Sequence, residues 1–228
     1  MVTWGSVLLA DSRLPTGGHA HSGGVEAAVE RGLLQDAADL ALFLVGRLSG
    51  SGPVISAVAA VGCLLTAVPD PEWDRWDAAV SARTPSAALR EASRAQGAAL
   101  LRTARRVWPC AALEVLHGVN RPHHPLVLGA VVARAGDGAQ SAALLALHHL
   151  VGGACSAAVR LLGLDPITVA AVQARAGAVA EQIALSAVPM AREAVQRHDP
   201  RLLPSSGTPL PEVLAELHAR REVTLFAS

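Results

Sequence analysis

Three times along this chain a residue that caps helices stands directly in front of a proline: Asp70-Pro71, Asp165-Pro166 and Thr208-Pro209. Proline has no N–H to donate, and the first turn of a helix is where that lack costs nothing, so each pair reads as a helix start. Other punctuation fits the same scheme. Ser22 can cap a segment running to Arg31, Gly32 ends it, and Asp36 with Asp39 opens a further helix that reaches Gly50. No run alternates at period two. Helical patterns fill 36–49, 54–68, 71–82, 86–107, 125–135, 139–150, 153–163, 166–197 and 209–221, which predicts an all-α chain of about ten helices.

One domain over 1–228 is the expected organisation. Its 228 residues are 51% hydrophobic, ample for a sizeable core. The apolar bulk is Ala, Leu and Val with only 3% aromatic residues, so helices must approach closely through small side chains. The segment 198–211 carries spaced prolines and Ser-Ser-Gly, which interrupt helix and read as a linker to a short tail helix. That tail is expected to be a separable element, able to dock on the fold or on another protein.

Charge and residue choice exclude several chemistries. Nineteen basic residues balance nineteen acidic ones, so no net field draws the chain to nucleic acid or an anionic membrane. Every basic residue is Arg; there is no Lys. A phosphate-binding G-x-x-x-x-G-K-[ST] loop, a lysine Schiff base and a Ser-x-x-Lys acyl-transfer site are therefore impossible. Cys63, Cys110 and Cys155 are far apart and odd in number, so neither a metal knuckle nor a disulfide framework is expected. The opening MVTWGSVLLADSRLP lacks the basic region of a secretory signal, and a cytoplasmic location is the expectation. The uncharged stretches from Ser49 to Pro69 and from Gly138 to Val159 read as core helices, diluted by small and polar residues, rather than membrane spans.

The segment from Ser86 to Val107 is the clearest amphipathic helix. Leu89, Leu100, Thr103 and Val107 fall on one side, with Arg90, Arg94, Arg102, Arg105 and Arg106 spread over the other. Such a stripe suits a solvated face or an acidic protein partner; without interleaved aromatics it does not suit nucleic acid. Imidazoles occur as His19-x-His21, His123-His124 and His148-His149. Adjacent helical histidines point about 100° apart and seldom share an ion. A nickel carrier using His19 and His21 is one alternative function, and a helical enzyme with a triad assembled from distant residues is another. No G-x-S-x-G elbow supports the second.

Five stretches together resemble the urease accessory protein F (UreF) family. Val7 to Gly18, followed by His21-Ser22-Gly23-Gly24-Val25-Glu26, resembles its opening "LP-small-Gly…S-x-G-hydrophobic-Glu". Arg90 to Gly97 with Leu100-Leu101-Arg102 resembles its central "R-x-x-S-x-x-Q-G…LLR" helix. His124-Pro125-Leu126-Val127-Leu128-Gly129 and Ser156-Ala157-Ala158-Val159-Arg160-Leu161 resemble two further motifs, and the end from Arg221 to Ser228 resembles a terminus reading "RLFxS". The chain departs from the family pattern at Ala219 and Thr224, where many members carry Glu and Arg, and at Leu162 to Asp165, where many read "PLGQ".

The resemblance implies an all-α assembly factor, typically a homodimer, with no cofactor and no catalytic residue of its own. It implies binding to the UreD/UreH accessory protein and recruitment of the nickel-carrying GTPase UreG to apo-urease. Partner-binding residues carried over on the matched motifs are Pro15, Gly17, His21, Ser22, Glu26, Arg94, Gln96, Arg102, Arg160, His218, Arg221, Leu225, Phe226 and Ser228.

Overall fold

The helix that organises the molecule is the one with the least to say chemically. In the structure, a computed structural model that describes residues 3–16 and 21–220, α4 (Gly52–Leu65) is buried along nearly its whole length. It packs against α8 (His124–Arg134), α9 (Ala139–Leu162) and α10 (Pro166–Gln196). Before it come α1 (Trp4–Ala10), α2 (Val25–Glu30) and α3 (Ala37–Gly50); α5 (Trp73–Ala82), α6 (Ala87–Val107) and α7 (Ala111–His117) intervene before α8. After α10, a single 3-10 turn at Pro200–Leu202 leads to α11 (Pro209–His218). The described residues form eleven α-helices and no strand, as the punctuation predicts.

Small residues make the core possible. A Cβ added at Gly62 of α4 would sit 2.2 Å from the Leu126 carbonyl oxygen of α8, and one at Gly129 of α8 would sit 2.0 Å from that of Ala59 in α4. Neither position has room for a side chain, so the two backbones meet directly. Leu126, Val127, Leu128, Val131 and Val132 then fill the space on either side, all fully buried.

Several boundaries differ from the sequence reading, each for a local reason. The segments 139–150 and 153–163 are one helix, α9, which runs unbroken through Gly152-Gly153. Glycine weakens a helix by about 1 kcal/mol, but at that stretch α9 lies against Gln173 of α10 and the His21 backbone, and packing outweighs propensity. Asp70-Pro71 does not open α5, which starts at Trp73 behind a left-handed Glu72 (φ 44°). The other two pairs do open helices, with Asp165 accepting from the Thr168 N–H at 2.9 Å and Pro209 leading α11. The short helices α1 and α7 were not anticipated.

In α6 the buried seam is Gly97, Leu100, Leu101 and Ala104, and Val107 is 45% exposed. Gly97 sets that rotation: a Cβ there would lie 2.0 Å from the Pro122 carbonyl oxygen. Among described residues, α9 alone is a single helix long and apolar enough to cross a membrane, and 61% of that window is buried inside the fold. Cys63, Cys110 and Cys155 are free thiols.

Candidate functional site

The motif-bearing helix α6 joins its neighbours through directional polar contacts. Ser86 caps it, its Oγ accepting from the Leu89 N–H at 3.1 Å. Arg90 reaches back to donate to the carbonyls of Thr84 and Pro85, both at 2.7 Å. Arg94 donates to Asp77 Oδ2 on α5 at 2.8 Å, to Ser81 Oγ at 3.0 Å and to the Arg121 carbonyl at 2.6 Å. Asp77 is 5% exposed, and its second oxygen accepts from the backbone N–H of His123 at 2.8 Å.

His123 closes this junction. Its Nδ1 lies 3.0 Å from Ser93 Oγ and its Nε2 lies 2.9 Å from Ser81 Oγ. Each of these hydroxyls also accepts from an N–H, Ser93 Oγ from His124 and Ser81 Oγ from Arg94, so the imidazole is held between two anchored serines. Burial pushes His123 down to about 4; Asp77 opposes that shift and Arg94 adds to it. The ring is 0% exposed, which keeps any substrate from it. The Arg-x-x-Ser spacing of the motif therefore ties α5, α6 and the start of α8 together.

A second junction holds the tail helix. Glu212 accepts from the Ser86 N–H at 2.7 Å, and Glu216 accepts from the Ser86 hydroxyl at 2.6 Å and the Ala88 N–H at 3.0 Å. Two carboxylates of α11 thus occupy the first turn of α6, where unpaired N–H groups and the helix dipole favour negative charge. At the other end of α11, His218 Nε2 lies 3.5 Å from Glu26 Oε2 of α2, each side chain 4% exposed. The preceding linker is gathered by Arg83, which donates to the carbonyls of Pro200, Leu203 and Pro204 at 2.7, 3.2 and 2.8 Å. The expected separable tail helix is, in this chain, docked on α6 and α2.

Between these junctions and α9 lies a cavity of about 600 Å³, lined among others by His21, Arg47, Gln96, His124, His149 and Cys155. The rings of His124 and His149 are 5.7 Å apart. His149 Nε2 bonds the Leu9 carbonyl at 2.9 Å. Burial, with His149 and His21 adding repulsion, holds His124 down at about 3, so it is neutral at physiological pH. Burial likewise pushes the Arg47 guanidinium down to about 10, and the group donates to the Gly23 carbonyl. Among the described residues no three His, Cys, Asp or Glu side chains are placed to hold a metal ion. The sequence pairs separate: His123 enters the α5–α6 junction and His124 the cavity; His149 turns inward and His148 is exposed.

The sequence-derived positions divide into four groups. Ser22, Glu26, Arg94 and His218 are engaged inside the fold, Ser22 Oγ accepting from the Glu26 N–H at 3.4 Å. Gln96 and His21 line the cavity, while Pro15, Arg102 and Arg160 lie on the surface. Gly17, Arg221, Leu225, Phe226 and Ser228, like His19, fall outside the described residues. Sequence reasoning missed Asp77, Ser81, Arg83, Glu212 and Glu216. The i, i+4 spacing of the two glutamates was the available signal, since it places both carboxylates on one face of the tail helix.

Residues 34–177 match the family model described as UreF. The chain is 43% identical over 223 residues to a protein named urease accessory protein UreF from Mycolicibacterium vanbaalenii, 97% of each chain being covered. It is equally 43% identical over 223 residues to the protein of that name from Mycobacterium sp. strain JLS, with 96% of each covered. The Mycobacterium marinum counterpart is 39% identical over 220 residues, again with 96% of each covered.

Proposed function

Because the chain belongs to the UreF family of urease accessory proteins, we propose that it is a non-catalytic scaffold of urease maturation. It links the UreD/UreH accessory protein to the nickel-carrying GTPase UreG while nickel enters apo-urease, and it works as a cytoplasmic homodimer. The observation that carries this reading is the use made of the motif side chains. Arg90, Ser93 and Arg94, with the Asp77 and His123 they contact, have the chemistry of an active site, yet each is bonded to another part of the same chain. They fix the relative positions of helices, which is what a docking platform requires.

In this reading α11 and the helices it rests on meet UreD/UreH, and the N-terminal opening around Pro15 and His21 faces UreG. Co-purification with the cognate UreD/UreH and UreG proteins tests it, comparing the full chain with a truncation after Thr208. A ternary complex with the full chain, lost on truncation while the truncated protein still melts cooperatively, assigns the tail to docking. Failure of the full chain to bind either partner overturns the scaffold reading. Equilibrium dialysis against Ni²⁺ separates the carrier alternative: stoichiometric binding abolished by H19A/H21A would replace the scaffold as the primary role.

A further inference from the structure

The arginines of α6 are not equivalent. Arg90 is engaged by two backbone carbonyls, Arg94 by Asp77, and Arg105 by Glu114, whose two oxygens take its Nε and Nη2 at 2.8 and 2.5 Å. Arg102 and Arg106 are exposed, and neither meets a carboxylate among the described residues. They stand one turn apart, at i and i+4, where like charges repel and destabilise a helix unless something neutralises them. The helix dipole favours Arg106 in the last turn, but it does little for Arg102 a full turn earlier.

The space beside them is shaped. Arg102, Thr103, Arg106 and Val107 form one side of a shallow groove of about 400 Å³, and Pro15 forms the other. Thr103 Oγ1 donates to the Pro15 carbonyl at 2.7 Å, fixing the N-terminal segment against α6 across 88 residues of sequence. Val107, 45% exposed, and the exposed Pro15 leave the floor apolar between two cations. That pattern, an apolar contact flanked by guanidinium forks, suits carboxylates set about one helical turn apart around an aliphatic residue.

We infer that this groove is the docking site for an acidic helical segment of a partner protein. Resting on the proposed scaffold role, in which the opening around Pro15 faces the GTPase, the inference assigns that acidic segment to UreG. Charge complementarity chooses the occupant: two unneutralised cations on an otherwise internally paired helix reward a partner that brings two carboxylates. Such a contact acts mainly on encounter rate and on salt dependence.

The test titrates the full chain with cognate UreG, and separately with UreD/UreH, at low and at moderate salt. The variant R102E/R106E should lower the UreG association rate at least about tenfold at low salt and flatten its salt dependence, because the steering charge is reversed. R102K/R106K should keep most of the rate, and V107D should weaken binding without altering the unfolding temperature. All three sites are exposed, so each variant should stay folded with at most the small helix-dipole loss of a charge reversed in the last turn, and its circular dichroism melt checks that. An unchanged UreG rate and salt slope in R102E/R106E overturns the inference while leaving the scaffold reading intact. So does a loss confined to UreD/UreH. Absence of any complex with the parent chain instead overturns the scaffold reading, and this assignment with it.

Discussion

The crossing of α4 with α8 and the junction of α5, α6 and α11 solve the same problem, fixing helices against one another, by opposite means. At the crossing two backbones touch through Gly62 and Gly129, surrounded by leucine and valine. Specificity there is a matter of shape. At the junction, arginines, serines, carboxylates and one imidazole are matched donor to acceptor. The first contact has nothing to titrate. The second depends on protonation state at several points, and it gathers the side chains of the Arg90-x-x-Ser93 motif.

The sharpest way to break the comparison is to put a side chain into the crossing. Gly129→Val forces a Cβ to within 2.0 Å of the Ala59 carbonyl oxygen, and backbone cannot yield as a flexible side chain can. The loss should be on the order of 5 kcal/mol, comparable to the whole stability of a marginal domain, and visible as failure to unfold cooperatively by heat or urea. A Gly129→Val protein that melts within a few degrees of the parent would sink the shape argument.

Asp77→Ala attacks the other region. It leaves the Arg94 guanidinium, 23% exposed, without its anion and the His123 N–H without an acceptor. Removing one partner of a mostly buried pair should cost about 3 kcal/mol, read from urea unfolding at neutral pH. Asp77→Asn, which keeps an acceptor for the His123 N–H, should recover part of that.

Acid distinguishes the regions as well. An unfolded imidazole takes its proton near pH 6.5, whereas His123 in the fold resists until about 4. Below 6.5 the unfolded chain binds a proton that the native chain does not, so stability is lost as pH falls from 6.5 toward 4 and levels off beneath that. The full shift is worth about 3 kcal/mol. Because His124, held at about 3, contributes over a wider range, the parent should be compared with His123→Gln. Parallel pH profiles of unfolding free energy for the two would count against the assignment.

The smallest effect is expected at the tail. Ser86→Ala removes both the cap of α6 and the hydroxyl that Glu216 holds, a loss of about 1 kcal/mol. Its more telling readout is hydrogen exchange: amides of α11 should exchange faster, while those of α4 and α8 do not change.

Much of this division was legible beforehand, and unevenly. The small-residue core followed from a chain rich in alanine and poor in aromatics, and the capping signals at Asp36 and Asp165 located true helix starts. The motif around Arg90, Ser93 and Gly97 was visible as a motif, but not as a junction. Asp77 lies 17 residues before Arg94, and His123 lies 30 residues after Ser93, separations that no helical period encodes. Gly152-Gly153 reads as a break because local propensity carries no information about what packs over it. The helices α1 and α7, seven residues each, are too short to establish a period. The five arginines of α6 looked alike; only their partners tell them apart.

The capping of α6 by Glu212 and Glu216 has a consequence for synthesis. A chain emerging from the ribosome delivers α6 long before α11, so the Ser86 and Ala88 N–H groups wait without their carboxylate acceptors until α11 is made. Domains that fold as they emerge begin from the N-terminal side, but here the start of α6 meets its two carboxylate partners only once α11 has emerged. A product that stops anywhere before Glu212 leaves the Ser86 and Ala88 N–H groups open to solvent.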